Sequence, residues 1–126
     1  MLLSASFICA QTFPTRPIRF IVPFPPGGGN DVMARVIAQK FTDAFGQQVV
    51  IDNRAGAGGN VGAELAAKTP PDGYTLLAAN NSLIVNASLY RKLPYDPVKD
   101  FSHAAMIGTT PNAFFVSSTI LASSSL

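Results

Sequence analysis

Apolar positions along this chain follow two alternating periods. Ile18, Phe20, Ile21 and Val22 are β-branched or aromatic and predict a short buried strand. Val32, Met33, Val36, Ile37, Phe41, Ala44 and Phe45 then fall three and four apart. That spacing predicts a helix over Asn30–Phe45 with this face turned inward, and Asn30 and Asp31 are good N-cap types at its start. The pattern repeats. Val49–Ile51 predicts a second strand, and Val61, Leu65 and Ala66 mark a second helix over Gly59–Lys68. Thr75–Ala79 predicts a third strand after the Pro70-Pro71-Asp72-Gly73 turn. Strands that alternate with helices predict one parallel sheet with right-handed crossovers. The expected core is Phe20, Val22, Ile37, Phe41, Val50 and Leu76.

Each predicted strand runs into a small, polar loop. The first is Pro23-Phe24-Pro25-Pro26-Gly27-Gly28-Gly29-Asn30-Asp31. Its glycines admit a ligand to the main chain, and the first-turn N–H groups of the helix have no partner inside it. The helix dipole favours negative charge there, so such a loop can hold a carboxylate or phosphate without a cationic side chain. The second loop, Asp52–Gly62, carries Gly56, Gly58, Gly59 and Gly62, which also suit close approach of helix and strand. The third is Asn80-Asn81-Ser82. In an open α/β sheet, ligands bind at the carboxyl ends of the strands. The candidate ligand-binding residues are therefore Pro26, Gly27, Gly28, Gly29, Asn30 and Asp31, with Gly58, Gly59, Asn60, Asn80, Asn81 and Ser82. Arg54 is expected to brace its loop at the surface. The plainer reading of any one loop is a simple connection; three at the same strand ends favour a site.

At 126 residues the chain is at most one domain, and 48% hydrophobic residues suffice for a core. Nine basic and seven acidic residues are scattered, giving a net charge of +2, so no nucleic-acid stripe exists. Reactive chemistry finds little support. Val61 stands where a G-x-G-x-x-G fingerprint needs its third glycine, and no phosphate-loop motif occurs. His103 has no histidine or mature cysteine partner for a metal. No serine lies in a G-x-S-x-G elbow. No cofactor and no catalysis are expected. Residues 1–10 are apolar and uncharged and resemble the end of an incomplete secretory signal; they contain the sole cysteine, Cys9. The stretch is too short to span a bilayer, so stable membrane insertion is not expected.

Several motifs in fixed order resemble one family. They are Phe13-Pro14-Thr15-Arg16-Pro17-Ile18, then Val22 to Asp31, Val50 to Gly62, Pro71-Asp72-Gly73-Tyr74-Thr75-Leu76-Leu77, and Leu89 to Phe101. Together they are similar to the start of the tripartite tricarboxylate transporter substrate-binding receptors, the Bug family. The resemblance implies a Rossmann-like open parallel sheet, the partial first lobe of a two-lobe periplasmic binding protein of type II (Venus-flytrap) form. It implies a periplasmic solute receptor that captures a small organic acid, such as a di- or tricarboxylate, and passes it to membrane transporter subunits. On this reading residues 11–111 belong to the first lobe. Residues 112–126 hold the first hinge strand, around Phe114, Phe115 and Val116, and a truncated start of the second lobe. The family's greater length implies a fragment that is marginally stable and aggregation-prone. The alternatives are the nucleotide-binding half of a Rossmann-type enzyme, or a non-functional truncated gene product.

Overall fold

A computed structural model of the chain describes residues 13–109. The expected leader at residues 1–10, Cys9 and the expected hinge strand at Phe114–Val116 lie outside the described residues. Three strands form one sheet: β1 (Ile18–Val22), β2 (Val49–Asn53) and β3 (Thr75–Leu77). Their order is β2-β1-β3, with both pairings parallel. Register sets Ile18 beside Val49 and Phe20 beside both Ile51 and Leu76. The connections are α1 (Gly29–Phe45), a single 3-10 turn at Ala57–Gly59 running into α2 (Asn60–Ala67), and α3 (Ser82–Leu89) after β3.

The sheet's main core lies under α1. Ile18, Phe20, Val22, Val49 and Ala78 pack there against Ala34 and Ala38, with Ile37, Phe41, Ile51 and Leu76 partly buried around them. Alternation along β1 sends Ile21 to the other face, where it too is fully buried. Within the described residues the three expected strands and two expected helices form, and α3 is an additional helix. Two details of packing differ. Val50 was expected in the core but is 44% exposed, and Val49 takes the buried place. Val50 shares Arg19's register position and therefore the face opposite α1, and α2, only eight residues long, leaves it uncovered. The inward face of α1 is also rotated. Asp31, Ala34 and Ala38 are buried, while Val32, Met33, Val36 and Phe45 are exposed. Alanines at 34 and 38 let the helix axis approach the strands, and Asp31 is held inward by polar partners.

The start of α1 departs from expectation as well. Its N-cap is Gly28, in an extended conformation with no side-chain cap bond, so neither Asn30 nor Asp31 is the N-cap. Asp31 is the third helical residue and reaches back to accept a hydrogen bond from the Gly27 N–H at 2.9 Å. The helix ends at Gly46, whose left-handed conformation (φ 65°) lets its N–H bond the Thr42 carbonyl. Among the described residues no helix is long and apolar enough to cross a membrane.

Candidate functional site

Chain direction reverses beside β1. From β1 the chain crosses to β2 on one side, and from β2 it returns past β1 to β3 on the other. The carboxyl ends of β1 and β3 are therefore adjacent at a point where strand order switches, the place where open α/β sheets form a crevice. The Pro23–Gly28 segment leaves β1 there, and Ala78–Asn81 leaves β3. A shallow hollow lies between them, lined by Pro23, Leu77, Ala79, Asn80, Ser82 and Gly59 among others. It has room for about one water molecule, far below the roughly 300–1,000 Å³ of a typical ligand pocket. These residues shape one wall of a site and do not enclose one.

The first loop is built around one buried carboxylate. Asp31 is 2% exposed. Its Oδ2 accepts from the Gly27 N–H and from Arg35 Nε, each at 2.9 Å. Its Oδ1 accepts from Asn53 Nδ2 at 2.8 Å, and the same Nδ2 donates to the Phe24 carbonyl at 3.1 Å. The Arg35 guanidinium, then the Gly27 N–H and Asn53, hold the Asp31 carboxyl far below the ordinary carboxylate range, outweighing burial. Side chains from α1 and β2 thus form a closed network under the loop, and Gly27, Gly28 and Gly29 are exposed above it. The N–H groups of Gly29, Asn30 and Asp31 have no partner within the helix, because the first intrahelical bond runs from Val32 N–H to Gly28 carbonyl.

The second loop turns on glycines. Gly58 (φ 64°) and Gly59 (φ 98°) are left-handed. A Cβ on Gly59 would lie 3.4 Å from Ser82 Oγ and 3.5 Å from the Phe24 ring, so this glycine sits where the three loops meet. Gly62 has a different task. A Cβ there would fall 2.7 Å from Pro23 Cβ and 2.9 Å from Pro23 Cα, so its bareness brings α2 against the exit of β1. Asn60 is buried, and its Oδ1 accepts from Asn86 Nδ2 at 2.8 Å and from the Tyr95 hydroxyl at 2.7 Å. Asn86 Nδ2 also reaches the Gly58 carbonyl at 3.1 Å. Burial raises the Tyr95 hydroxyl pKa.

The third loop is self-capped. Asn80 Oδ1 accepts from the Ser82 N–H at 3.0 Å and from the Ser82 hydroxyl, which fixes the start of α3. Asn81 occupies the N-cap position of α3. Gly59, Asn80 and Ser82 therefore share the hollow, Gly27 to Asp31 lie along the neighbouring loop, and Asn60 sits beneath as a buried hub. Arg54 braces its loop as expected, with Nε donating to Asp52 Oδ1 at 2.8 Å. Burial pushes the Asp52 pKa up, but hydrogen bonds from Arg19 and Arg54 outweigh it and the net shift is downward. Sequence reasoning missed Asn53, Asn86 and Tyr95. Asn86 had a signal, a lone amide inside the apolar run Leu83-Ile84-Val85-Asn86-Ala87. Among the described residues no group of three or more metal-ligating side chains occurs, and His103 is exposed.

Residues 33–123 match the model of the family described as tripartite tricarboxylate transporter family receptor. BugT of Bordetella pertussis is 50% identical over 109 residues, covering 85% of this chain and 33% of that protein. A Pseudomonas protein from a tcbD-tcbE intergenic region is 46% identical over 106 residues, covering 84% and 32%. The chain spans about a third of the length of the curated relatives it matches. Among solved structures, the periplasmic binding protein BugD has a TM-score of 0.68 at 37% identity, over 71% of this chain and 30% of its own. An R. palustris protein with adipate gives 0.65 at 43% identity, over 68% and 29%. MatC of Rhodopseudomonas palustris, with bound malate, gives 0.61 at 37% identity, over 71% and 31%.

Proposed function

This chain belongs to the tripartite tricarboxylate transporter receptor family, and on that premise we propose that it forms part of a solute receptor for a small organic acid. The ligand's carboxylate lies against the backbone of Gly27 to Asp31, with Pro26 shaping the loop. Asn80, Asn81 and Ser82 border it from β3, and Gly58, Gly59 and Asn60 line or support the same cleft. The observation that carries this reading is the meeting of a glycine-rich helix start and a polar loop at the β1/β3 switch point. Bare main-chain donors and amide side chains suit a carboxylate, Asp31 is closed off by its own partners and the Ser82 hydroxyl is bonded to Asn80 with no base beside it. The protein is therefore a receptor and not an enzyme.

Residues 11–111 supply the first lobe of the cleft, and residues 112–126 lead into the hinge and the second lobe. The adipate and malate of the R. palustris neighbours make dicarboxylates the first ligands to try. Residues 1–10 act as an export leader, the site of action is the periplasm, and the partners are the membrane subunits of a tripartite transporter. Titration calorimetry against malate, adipate, citrate and NAD tests the reading. Saturable heat with an organic acid and none with NAD is the expected result. Binding of NAD with no response to the acids would overturn it.

A further inference from the structure

We propose that the side chains of Asp31 and Asn53 are positioning groups, a lock that holds the Gly27–Gly29 backbone in the conformation that receives the anion, without those side chains touching the anion. The inference rests on the proposed carboxylate reading of this loop, and it concerns side chains that the sequence pattern had placed elsewhere. Asp31 looked like a cap or a ligand contact, and Asn53 like one residue of the second loop.

The geometry argues for a lock. Asp31 is nearly inaccessible, and both its oxygens are occupied, by Gly27, Arg35 and Asn53. It has no face left for a ligand. A second carboxylate beside it would also meet like charge. Its bond to the Gly27 N–H draws that peptide inward, toward the third residue of the helix. Asn53 ties the other side, with one amide group donating to Asp31 and to the Phe24 carbonyl. The loop is thus held at Phe24 and at Gly27 from the end of β2. Three successive glycines would otherwise be the most mobile stretch of backbone near the site. Ordering them before the ligand arrives removes a cost from binding. Arg35 offsets the buried charge from the surface side, with its side chain 54% exposed, so the loop stays electrically balanced.

The lock predicts a sign that electrostatics alone does not. Asp31→Asn removes a negative charge near an anion site, so a purely electrostatic role would tighten carboxylate binding. Loss of the lock would loosen it. Asn53→Ala removes the lock's other half with no change of charge, which separates the two effects. The experiment uses the full chain labelled with nitrogen-15, malate as the probe, and both variants. In the native protein the Gly27 amide is expected to exchange slowly with solvent. In both variants it exchanges at least about tenfold faster while Ala38 in α1 keeps its protection. Malate is expected to shift the amides of Gly28 to Asn30, with affinity about tenfold or more weaker in both variants. Unchanged Gly27 exchange in both variants overturns the lock. Tighter malate binding by the Asp31 variant, with native affinity in the Asn53 variant, also overturns it. If malate moves no loop amide of the native protein while Gly27 exchange still responds to both substitutions, the lock stands and the carboxylate reading falls. If Asp31→Asn loses Ala38 protection, the Asn53→Ala result decides.

Discussion

Substituting Gly62 by alanine sets two effects of opposite sign against each other. Gly62 is a helical residue of α2, where alanine is favoured over glycine by about 1 kcal/mol. An exposed helical glycine would therefore give a more stable protein. At this position the added Cβ would lie 2.7 Å from Pro23 Cβ, 2.9 Å from Pro23 Cα and 3.0 Å from the Arg54 carbonyl oxygen. Two of those atoms are backbone and the third belongs to a rigid ring, so no rotamer change relieves them. The Pro23 side lies at the exit of the central strand, and the Arg54 N–H is bonded to the Val22 carbonyl, so both neighbours are tied to the sheet. The helix itself must move. Contacts this short against backbone and a ring put the cost in the upper part of the usual overpacking range, about 2–3 kcal/mol, so the net loss is roughly 1–2 kcal/mol after the propensity gain. For a domain of this size that lowers Tm by roughly 5–15 °C. Thermal melts followed by far-ultraviolet circular dichroism would read it. Gly29→Ala is the control: nothing lies within 4 Å of its Cβ, and Tm should hold or rise. An equal or higher Tm for Gly62→Ala would refute the close seating of α2 on the exit of β1.

Other outcomes follow from the same geometry. Gly28→Val should fold, because its Cβ meets only the Pro25 carbonyl at 3.5 Å and its backbone is extended, yet binding of a carboxylate should weaken by about one to several decades as bulk and lost hydrogen bonds block the loop; calorimetry checks it, with Arg54→Ala, expected near native, beside it. Asn60→Ala removes one bond each from the Tyr95 hydroxyl and Asn86 inside a buried network, and should cost about 1–3 kcal/mol in urea unfolding. The depressed carboxyl pKa values of Asp31 and Asp52 mean that the unfolded chain takes up protons first as pH falls. Stability should therefore hold above about pH 4 and decline below it, and Asp31→Asn should flatten that acid limb in urea midpoints measured from about pH 6 to about pH 3. Val32, Met33, Val36, Ile84, Val85 and Leu89 are exposed on α1 and α3, so the chain should bind the dye ANS at neutral pH and lose part of that signal when Val32, Met33 and Val36 are changed together to Lys, Gln and Glu.

The three strands and the first two helices were legible because period is a local property, whereas α3 was not read, its eight residues being apolar nearly all round. Ile18–Val22 and the apolar spacing after Asp31 each announce an element without reference to the rest of the chain. Which helix face turns inward was not legible. Val32, Met33 and Val36 are larger and more apolar than Ala34 and Ala38, but the small residues let α1 approach the sheet, and Asp31 draws that edge inward through bonds to residues 4 and 22 positions away. Val50 misled for a related reason: Val49, Val50 and Ile51 are consecutive β-branched residues with no alternation to mark a face, and only the extent of α2 decides which face is covered. Of the site, the glycine loops stood out as bare backbone at strand ends. The amides that support them did not, because Asn53 and Asn86 act through partners 22 to 29 residues distant in sequence.

The most direct test of the account is a crystal structure of the protein with a bound dicarboxylate such as malate. The account predicts a ligand carboxylate oxygen within hydrogen-bond distance of main-chain N–H groups between Gly28 and Asp31, beside Asn80 to Ser82, with Asp31 still bonded to Gly27 and Asn53. A dicarboxylate seated elsewhere, with the Gly27–Asp31 loop empty, would contradict it.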